Sequence, residues 1–255
     1  MTVKTFSIIT ICYNDLVGLK RTFNSVKKQN FKNFEWVVVD GASTDGTNLF
    51  LQEIDMKGLS WTSEPDKGIY NAMNKGISYS TGEYIVFMNA GDVFYDELVL
   101  QKVYIETLNN SCDVFYGDAI YKKPGSPGKI KVALSHNRCW YGMFACHQSI
   151  YYKNPKKFGI NYREDYKVSG DYAFTCDYIK LGLQFKKIKA PLSIFYMDGI
   201  SSNNEDVGAR ENKRVQKEIL EVNYFVPLVV SFSYKFSYFL RKYLPSFYYL
   251  VRRVI

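Results

Sequence analysis

Three aspartates in this sequence stand where a carboxylate could bind a ligand or accept a proton. Asp40 ends an apolar run, Asp92 follows an asparagine, an alanine and a glycine, and Asp171 follows a glycine at the start of a helical pattern. Hard cations such as Mg²⁺ and Mn²⁺ prefer oxygen ligands and often use only one or two carboxylates plus substrate phosphates. Together the three residues indicate a nucleotide, a metal and a general base. A simpler interpretation stays open, because Asp92 and Asp171 would also serve as helix caps.

The elements that must position these residues alternate between strand and helix over the first 95 residues. Nearly continuous apolar runs predict buried strands at 6–12, 35–40 and 83–88, a shorter strand is predicted at 59–63, and helical patterns lie between them. This alternation predicts an α/β fold with right-handed crossovers and a mostly parallel mixed sheet flanked by helices. Ligands of such sheets bind at the carboxyl ends of the strands. Polar clusters occur at four of these ends: Tyr13-Asn14, Asp40-Gly41, Asp66-Lys67 and Asn89 to Asp92.

The second half of the chain is richer in strands and loops. Strands are predicted at 114–118, 119–121, 129–134 and 185–188. A helix is expected to open at Ser169-Gly-Asp171 and to run through Ile179, and residues 205–222 have a charged helical character. Asp92 would be the cap of a helix over Val93 to Tyr104 if its role were only structural.

The composition excludes several classes of protein. With 255 residues, 47% hydrophobic and 23% charged, the chain is neither disordered, collagen-like nor a disulfide scaffold. The net charge is +8, but residues 224–255 contain five cations and no acid, so residues 1–223 carry only about +3. A protein that grips a long nucleic acid would spread its charge over a groove-sized face. Nucleic acid is therefore not an expected partner.

Cysteine usage and hydropathy bear on the compartment. The five cysteines form no CxxC pair, and with only two histidines an all-Cys/His zinc site is not expected. An odd number of cysteines suits a reducing compartment. The first residues lack the pattern of a signal peptide, and no stretch reaches 18 apolar residues without a charge. We expect a cytoplasmic protein.

Four motifs in fixed order carry a family resemblance. They are Ser7-Ile-Ile-Thr-Ile-Cys-Tyr-Asn14, Val39-Asp-Gly-Ala-Ser-Thr-Asp-Gly-Thr47, Asp66-Lys-Gly-Ile-Tyr-Asn-Ala-Met-Asn-Lys-Gly76 and Phe87-Met-Asn-Ala-Gly-Asp92. The sequence closely resembles family 2 glycosyltransferases of GT-A fold, in the branch that builds bacterial capsule, exopolysaccharide and lipopolysaccharide sugars. The resemblance is strong over residues 6 to 95 and recognisable to about residue 200.

The resemblance implies roles for individual residues. Thr10, Tyr13 and Asn14 would line the base pocket, and Asp40 would accept a hydrogen bond from uracil or thymine. Lys67, Gly68 and Asn74 would hold the ribose and the sugar-phosphate end. Asp92, helped by Asn89, would bind Mn²⁺ or Mg²⁺, Asp171 would be the catalytic base, and His147-Gln148 would lie near the donor sugar or acceptor. A buried polar pair without a ligand is the alternative for His147-Gln148.

Two departures from the family pattern stand out. Asn89 occupies a position where the family usually has an aspartate, so the metal would lose one negative ligand. Met73 occupies the position of a family arginine, and Lys67 or Lys75 could supply the missing charge. If Asp171 were not the base, Glu164 and Asp165 would be the candidates.

The implied reaction is an inverting, metal-dependent transfer of a hexosyl-type sugar from a nucleotide-sugar, most naturally a UDP-sugar, to a glycan or lipid-linked glycan. We expect a nucleotide-sugar half at 1–112, an acceptor and catalytic half at 113–222, and a basic aromatic, amphipathic tail at 223–255. The tail, from Tyr224 onward, suits a membrane interface, which would make the protein peripheral on the inner face of the cytoplasmic membrane. A helix packed on the body is the alternative for the tail. The alternatives for the function are a nucleotidyltransferase, which would want a glycine-rich phosphate loop after the first strand, and a degenerate assembly partner.

Overall fold

The computed structural model of the chain describes residues 4–123, 125–196 and 205–223, together with nine single residues between 225 and 244. Most of the predicted tail therefore lies outside the described residues. Within these ranges the chain forms six α-helices and nine β-strands. The helices are α1 (Leu16–Lys27), α2 (Thr47–Glu53), α3 (Ile69–Tyr79), α4 (Val99–Asn109), α5 (Gly170–Lys180) and α6 (Glu205–Glu218). The strands are β1 (Phe6–Cys12), β2 (Phe34–Asp40), β3 (Leu59–Ser63), β4 (Tyr84–Phe87), β5 (Val93–Phe94), β6 (Val114–Lys122), β7 (Lys129–Lys131), β8 (Ile150–Lys153) and β9 (Phe185–Tyr196).

One mixed sheet organises these elements. Its order is β3-β2-β1-β4-β8-β6-β9-β5, and β7 pairs with β6. The first four strands are parallel, as expected from their alternation with helices. Beyond β4 in this order, β4 with β8, β8 with β6, β6 with β7 and β9 with β5 pair antiparallel, and only β6 with β9 is parallel. The antiparallel share of the strand pairings is therefore larger than the sequence indicated. The sheet continues across residue 112, so the two predicted halves share it.

The core is divided between the two faces of the sheet. Alternate residues of the buried strands point to opposite faces, so Ile9 and Val37 pack on one side and Ile8 and Trp36 on the other. Residues of α3, α5 and α6 cover the first face, and residues of α1 and α4 cover the second. Burial on both faces explains why these strands have no polar alternation in the sequence.

Three elements differ from the prediction. Val93 and Phe94 form the short strand β5, and α4 begins only at Val99, so Asp92 does not cap a helix. Pairing with β9 carries β6 through both predicted pieces as one strand, with register irregularities near Asp118. The strand expected at 185–188 extends to Tyr196, because its second half continues along β6 and also pairs with β5.

Candidate active site

An open cleft of about 1150 Å³ lies at the carboxyl ends of β1, β2 and β4. That is where a parallel sheet is expected to bind its ligand. The volume exceeds the usual 300–1,000 Å³ of a small-molecule site, so the cleft has room for more than one substrate group. Eight predicted site residues line it: Tyr13, Asn14, Gly68, Asn89, Asp92, His147, Gln148 and Asp171.

Tyr13 and Asn14 follow β1 at one end of the cleft and have different surroundings. The Tyr13 side chain is 68% exposed, and its ring lies beside the backbone of Gly41, so a ring face is open for stacking. Asn14 has a φ of 49° and uses its side-chain oxygen to accept the Thr44 N–H at 2.8 Å. Asn14 thus ties the loop after β1 to the loop after β2.

Thr10 does not line the cleft, which corrects its predicted role. It is fully buried, and its hydroxyl donates to the Met88 carbonyl at 2.7 Å and accepts from the Trp36 indole at 2.8 Å. A threonine inside a strand buried on both faces must satisfy its hydroxyl within the protein. Thr10 is therefore a core residue that links β1 to its neighbours.

Asp40 lies beneath the cleft and has no exposed surface. Its carboxylate accepts hydrogen bonds from the Ser43 backbone N–H, the Ser43 hydroxyl and the Ser63 hydroxyl at 3.0, 2.5 and 2.6 Å. A nucleobase could reach Asp40 only if these serines released it. The predicted base contact stays a prediction.

Lys67 and Asn74 are also absent from the cleft lining. Lys67 is exposed, while Asn74 donates to the Tyr162 carbonyl and accepts the Tyr162 N–H at 2.9 and 2.8 Å. Asn74 therefore clamps the 160s loop onto α3, which corrects its assignment to the donor. Lys75 pairs with Glu64 at 2.8 Å, so it does not supply the missing cleft cation.

Asn89 and Asp92 form the oxygen-rich part of the cleft. The Asn89 side-chain oxygen is buried and, among the described residues, has no hydrogen-bond partner. Asp92 is 6% exposed and accepts the Gln148 amide N–H at 2.8 Å. The Thr22 hydroxyl bonds both backbone carbonyls, of Asn89 at 3.1 Å and of Asp92 at 2.8 Å, and so fixes the loop between them.

A divalent cation suits this donor set. Within the described ranges no group of three Cys, His, Asp or Glu side chains could hold a metal. Mg²⁺ and Mn²⁺ do not require one, since one carboxylate with substrate phosphates and waters completes their shell. The orphaned Asn89 oxygen beside the Asp92 loop provides a second hard ligand, so the two residues fit such an ion.

His147 is buried in the cleft wall and stacks on Phe87, with ring centroids 5.2 Å apart. Neither ring nitrogen has a partner among the described residues. Loss of hydration lowers the pKa of His147 to about 4, so the imidazole is neutral near pH 7. A neutral imidazole can donate one hydrogen bond and accept another, which suits a hydroxyl group better than a phosphate.

Asp171 lies in the first turn of α5, in the cleft wall. Burial raises its pKa from 3.8 to about 6, although the Tyr172 N–H bonds the carboxylate at 2.8 Å. The Gly170 N–H donates to the Tyr70 hydroxyl at 2.8 Å, and a methyl group at Gly170 would meet the Tyr70 ring at 2.5 Å. Glycine is thus required for the close approach that holds the start of α5. A carboxyl with a pKa near 6 is poised for general base catalysis at neutral pH.

The two substitute bases are engaged elsewhere. Glu164 accepts hydrogen bonds from the amides of Asn71 and Asn74, and Asp165 pairs with Arg214 at 2.5 Å. Neither residue lines the cleft. The geometry favours Asp171.

Sequence reasoning missed Arg21, the only Lys or Arg that lines the cleft among the described residues. Its guanidinium lies over the Tyr196 ring, 4.4 Å from the centroid. Arg21 lies between apolar positions of α1, where it looks like an ordinary surface residue, so helical periodicity gives no signal for it.

Comparisons with known proteins agree with this architecture. A family model described as "Glycosyl transferase family 2" matches residues 7–182. An uncharacterized glycosyltransferase of Mycobacterium tuberculosis is 42% identical over 91 residues, which is 35% of this chain and 35% of that relative. This alignment therefore spans about a third of the relative's length.

Two further relatives align over more of the chain. A PGL/p-HBAD biosynthesis glycosyltransferase of Mycobacterium bovis is 29% identical over 87% of this chain and 84% of its own length. The amylovoran biosynthesis glycosyltransferase AmsB of Erwinia amylovora is 27% identical over 76% of this chain and 70% of its own length.

Solved structures share the fold. The S. aureus TarS fragment 1–349, in complex with UDP-GlcNAc, superposes with a TM-score of 0.68 at 20% identity, over 89% of this chain and 70% of that one. A mannosyltransferase from Pyrobaculum calidifontis, in complex with GDP-Man and Mn²⁺, superposes with a TM-score of 0.63 at 14% identity, over 100% and 80%. At these identities the likeness shows the GT-A fold alone.

Proposed function

The chain belongs to glycosyl transferase family 2, and from that premise we propose that it transfers a sugar from a UDP-sugar to a hydroxyl of a glycan or lipid-linked glycan, with inversion at the anomeric carbon. One observation carries the proposal. Asp171, with its raised pKa, lines the same cleft as the oxygen ligands Asn89 and Asp92. A base and a cation-binding pair in one cleft are what such a transfer needs.

Asp171 performs the proton transfer in this proposal. Its carboxylate accepts the proton of the incoming hydroxyl as that oxygen forms a bond to the anomeric carbon. The bond between the anomeric carbon and the diphosphate oxygen breaks, and its electron pair leaves with the nucleoside diphosphate. General base catalysis of this kind typically contributes 10²–10⁴-fold. A single displacement from the face opposite the leaving group inverts the configuration.

Asp92 and Asn89 would hold Mn²⁺ or Mg²⁺. When bound, the cation would stabilise the negative charge on the departing diphosphate. Gln148 donates a hydrogen bond to one oxygen of Asp92 and so fixes the orientation of the carboxylate that would hold the ion. Arg21 lines the same cleft as Asp92 and would add a positive charge that favours the departing diphosphate.

The uridine assignment depends on the base end of the cleft. Tyr13 offers an exposed ring for stacking, and Asp40, once released by its serines, would accept the uracil imide N–H. The staphylococcal structure contains UDP-GlcNAc, and the archaeal one contains GDP-Man with Mn²⁺, so both nucleotides belong in the test. The first half of the chain, 1–112, would then bind the donor, and 113–222 the acceptor.

We further propose that the protein acts in the cytoplasm, on the inner face of the cytoplasmic membrane, through residues 224–255. Phe225, Phe232 and Phe236, described in this segment, are more than half exposed, and Phe232 stacks on Phe236. Val230 and Leu240 are buried. Among the described residues of this segment, two apolar side chains are thus buried and three aromatic rings are exposed. The five cations in its sequence would attract anionic lipid. No helix within the described residues is long and apolar enough to span a membrane.

Thermal unfolding with nucleotides tests the proposed function. Wild type, Asp92→Asn and the exposed control Asp55→Asn are heated with UDP, GDP, dTDP, CMP or ATP, with and without Mn²⁺. A ligand at 100 times its dissociation constant adds about 2.7 kcal/mol of stability. We expect a Mn²⁺-dependent rise with UDP that Asp55→Asn retains and Asp92→Asn loses. No rise with any nucleotide would contradict the proposal and favour the degenerate assembly partner.

A further inference from the structure

Helix α6 contacts the segment of chain that leads into the helix of the proposed base. Glu211, in the middle of α6, accepts hydrogen bonds from the backbone N–H groups of residues 167–169 at 2.8, 2.9 and 2.8 Å. One carboxylate thus satisfies three consecutive N–H groups just before Asp171, which is the second residue of α5. Charge-assisted hydrogen bonds are shorter than those between neutral groups and roughly twice as strong.

The segment that Glu211 binds is part of the cleft wall. Val168 lines the cleft together with Asp171, and Ser169 is buried. The Ser169 hydroxyl also donates to the Gly208 carbonyl of α6 at 3.4 Å, and a methyl group at Gly208 would meet the Val168 side chain at 3.3 Å. The cleft wall therefore packs directly against α6.

The first turn of α5 is held from two sides. The Gly170 N–H donates to the Tyr70 hydroxyl of α3, so the four consecutive N–H groups of residues 167–170 all bond side chains of other helices. The first N–H groups of a helix have no acceptor within it. These outside acceptors therefore determine where α5 begins and how its first turn, with Asp171, is directed.

Another acidic residue of α6 has a different partner. Glu218 accepts a hydrogen bond from Arg214 at 2.9 Å, and Arg214 also pairs with Asp165. Neither contact involves residues 167–171. Glu218 is two helical turns beyond Glu211 and has the same charge, so it provides a matched control within the same helix.

The charge of Glu211 also acts on the proposed base. Burial is the main cause of the raised pKa of Asp171, the charge of Glu211 adds to it, and Lys131 opposes it. Tyrosine hydroxyls that are neutral near pH 7 also interact with this carboxyl, namely those of Tyr70, Tyr121, Tyr152 and Tyr162. Removal of the Glu211 charge should therefore lower the pKa of Asp171.

We propose that Glu211 is a positioning residue for sugar transfer, which binds the N–H groups of residues 167–169 and so fixes the carboxylate of Asp171 in the cleft. The inference rests on the proposed function and adds to it a residue that does not line the cleft. Helix α6 begins after residue 182, the last that the family model matches. Positioning matters because a displacement of about 1 Å can lower a reaction rate roughly 100-fold.

Hydrolysis of a UDP-sugar with Mn²⁺ tests the inference in the full chain, since water replaces the acceptor. In Glu211→Gln the NH₂ group cannot accept a backbone N–H, so we expect kcat to fall about 10–100-fold. The calorimetric dissociation constant of UDP should stay unchanged, and Glu218→Gln should keep the wild-type kcat. An unchanged kcat in Glu211→Gln, an equal loss in Glu218→Gln, or a loss of UDP affinity as large as the loss of rate would overturn the proposal.

Carbon-13 NMR titration of the Asp171 carboxyl, identified by its absence from Asp171→Asn, gives a readout that needs no activity. The midpoint should lie near pH 6 in wild type and in Glu218→Gln, and at lower pH in Glu211→Gln. An unmoved midpoint would contradict the contact. If the midpoint moved but wild type neither bound UDP nor hydrolysed the UDP-sugar, the proposed function would fail and the contact would stand.

Glu211→Asp keeps the test decisive if Glu211→Gln does not fold. It retains the negative charge, but the side chain is one methylene shorter and cannot bond all three N–H groups at their present distances. We expect the titration midpoint of Asp171 to stay near that of wild type and kcat to fall. A wild-type kcat in folded Glu211→Asp would overturn the positioning role.

Discussion

Asp171→Asn is expected to lower the rate of sugar transfer and, at the same time, to raise the stability of the folded protein. The amide cannot accept the proton of an acceptor hydroxyl, so transfer should fall by 10²–10⁴-fold. The proposed nucleotide contacts do not involve this side chain, so stabilisation by UDP and Mn²⁺ should persist. At the same time, the variant should be more stable than wild type near neutral pH, because the buried carboxylate is lost.

The size of the stability change follows from the pKa of Asp171. Below pH 3.8 the carboxyl is protonated in both the folded and the unfolded chain and contributes nothing. As the pH rises from 3.8 to about 6, the unfolded chain ionises first, and the folded state loses relative stability. At 1.36 kcal/mol per pH unit, the loss is complete above pH 6 at about 3 kcal/mol. Since the side chain is partly exposed to the cleft, this value is an upper bound.

Thermal unfolding of wild type and Asp171→Asn between pH 3.5 and 8 measures this difference. For a chain of this size each kcal/mol corresponds to roughly 2–4 °C. The melting temperatures should coincide near pH 3.5, diverge between about pH 4 and pH 6, and differ by a constant amount above pH 6, with the variant higher. The control Asp55→Asn should follow wild type. The kcat/KM of wild type should fall about tenfold per pH unit below about 6. A variant less stable than wild type at pH 8, or near-normal transfer by Asp171→Asn, would refute the reasoning.

Three further changes probe other parts of the site. Gln148→Leu removes the hydrogen bond that orients Asp92, and Mn²⁺ affinity, measured by titrating UDP-dependent stabilisation, should fall about 10–100-fold. Arg21→Gln removes the cleft cation, and the dissociation constant of UDP, measured calorimetrically with Mn²⁺, should rise by roughly tenfold or more. Phe232→Ser with Phe236→Ser removes exposed apolar rings, and the fraction bound to vesicles containing anionic lipid should fall in a sedimentation assay.

Matched controls make these outcomes specific. Lys28→Gln alters a charge just beyond α1 and should leave UDP binding unchanged, and Gln52→Leu should leave Mn²⁺ affinity unchanged. Tyr79→Ser removes a ring that is 50% exposed and lies outside the tail, so vesicle binding should persist. If a control variant changed the measured binding as much as the site variant to which it is matched, the role proposed for that site residue would be contradicted.

The parallel half of the fold could be predicted because burial on both faces leaves an unmistakable sequence pattern. Strands such as Phe6–Cys12 are nearly continuous apolar runs, and polar residues follow them directly. In the second half several strands were predicted from their composition, but their antiparallel pairing and their full length were not, because these are specified by distant partners. Thus β9 extends to Tyr196 because β6 and β5 pair with its second half. The local sequence has no pattern that predicts this pairing.

Motif order predicted a site at the carboxyl ends of the parallel strands, where the cleft lies, but it could not distinguish residues that face the cleft from residues that are buried beneath it. Thr10 and Asn74 have the residue types of a ligand contact, yet their side chains bond within the protein. Arg21 was missed because it comes from a helix surface with no motif.

Proton NMR of UDP-sugar hydrolysis tests the central claim most directly, since transfer to water requires no knowledge of the acceptor. With Mn²⁺ and a UDP-α-sugar, the account predicts that the β-anomer of the free sugar forms first, before mutarotation, and that Asp171→Asn abolishes its formation. First release of the α-anomer, or unchanged hydrolysis by Asp171→Asn, would contradict a single displacement assisted by Asp171.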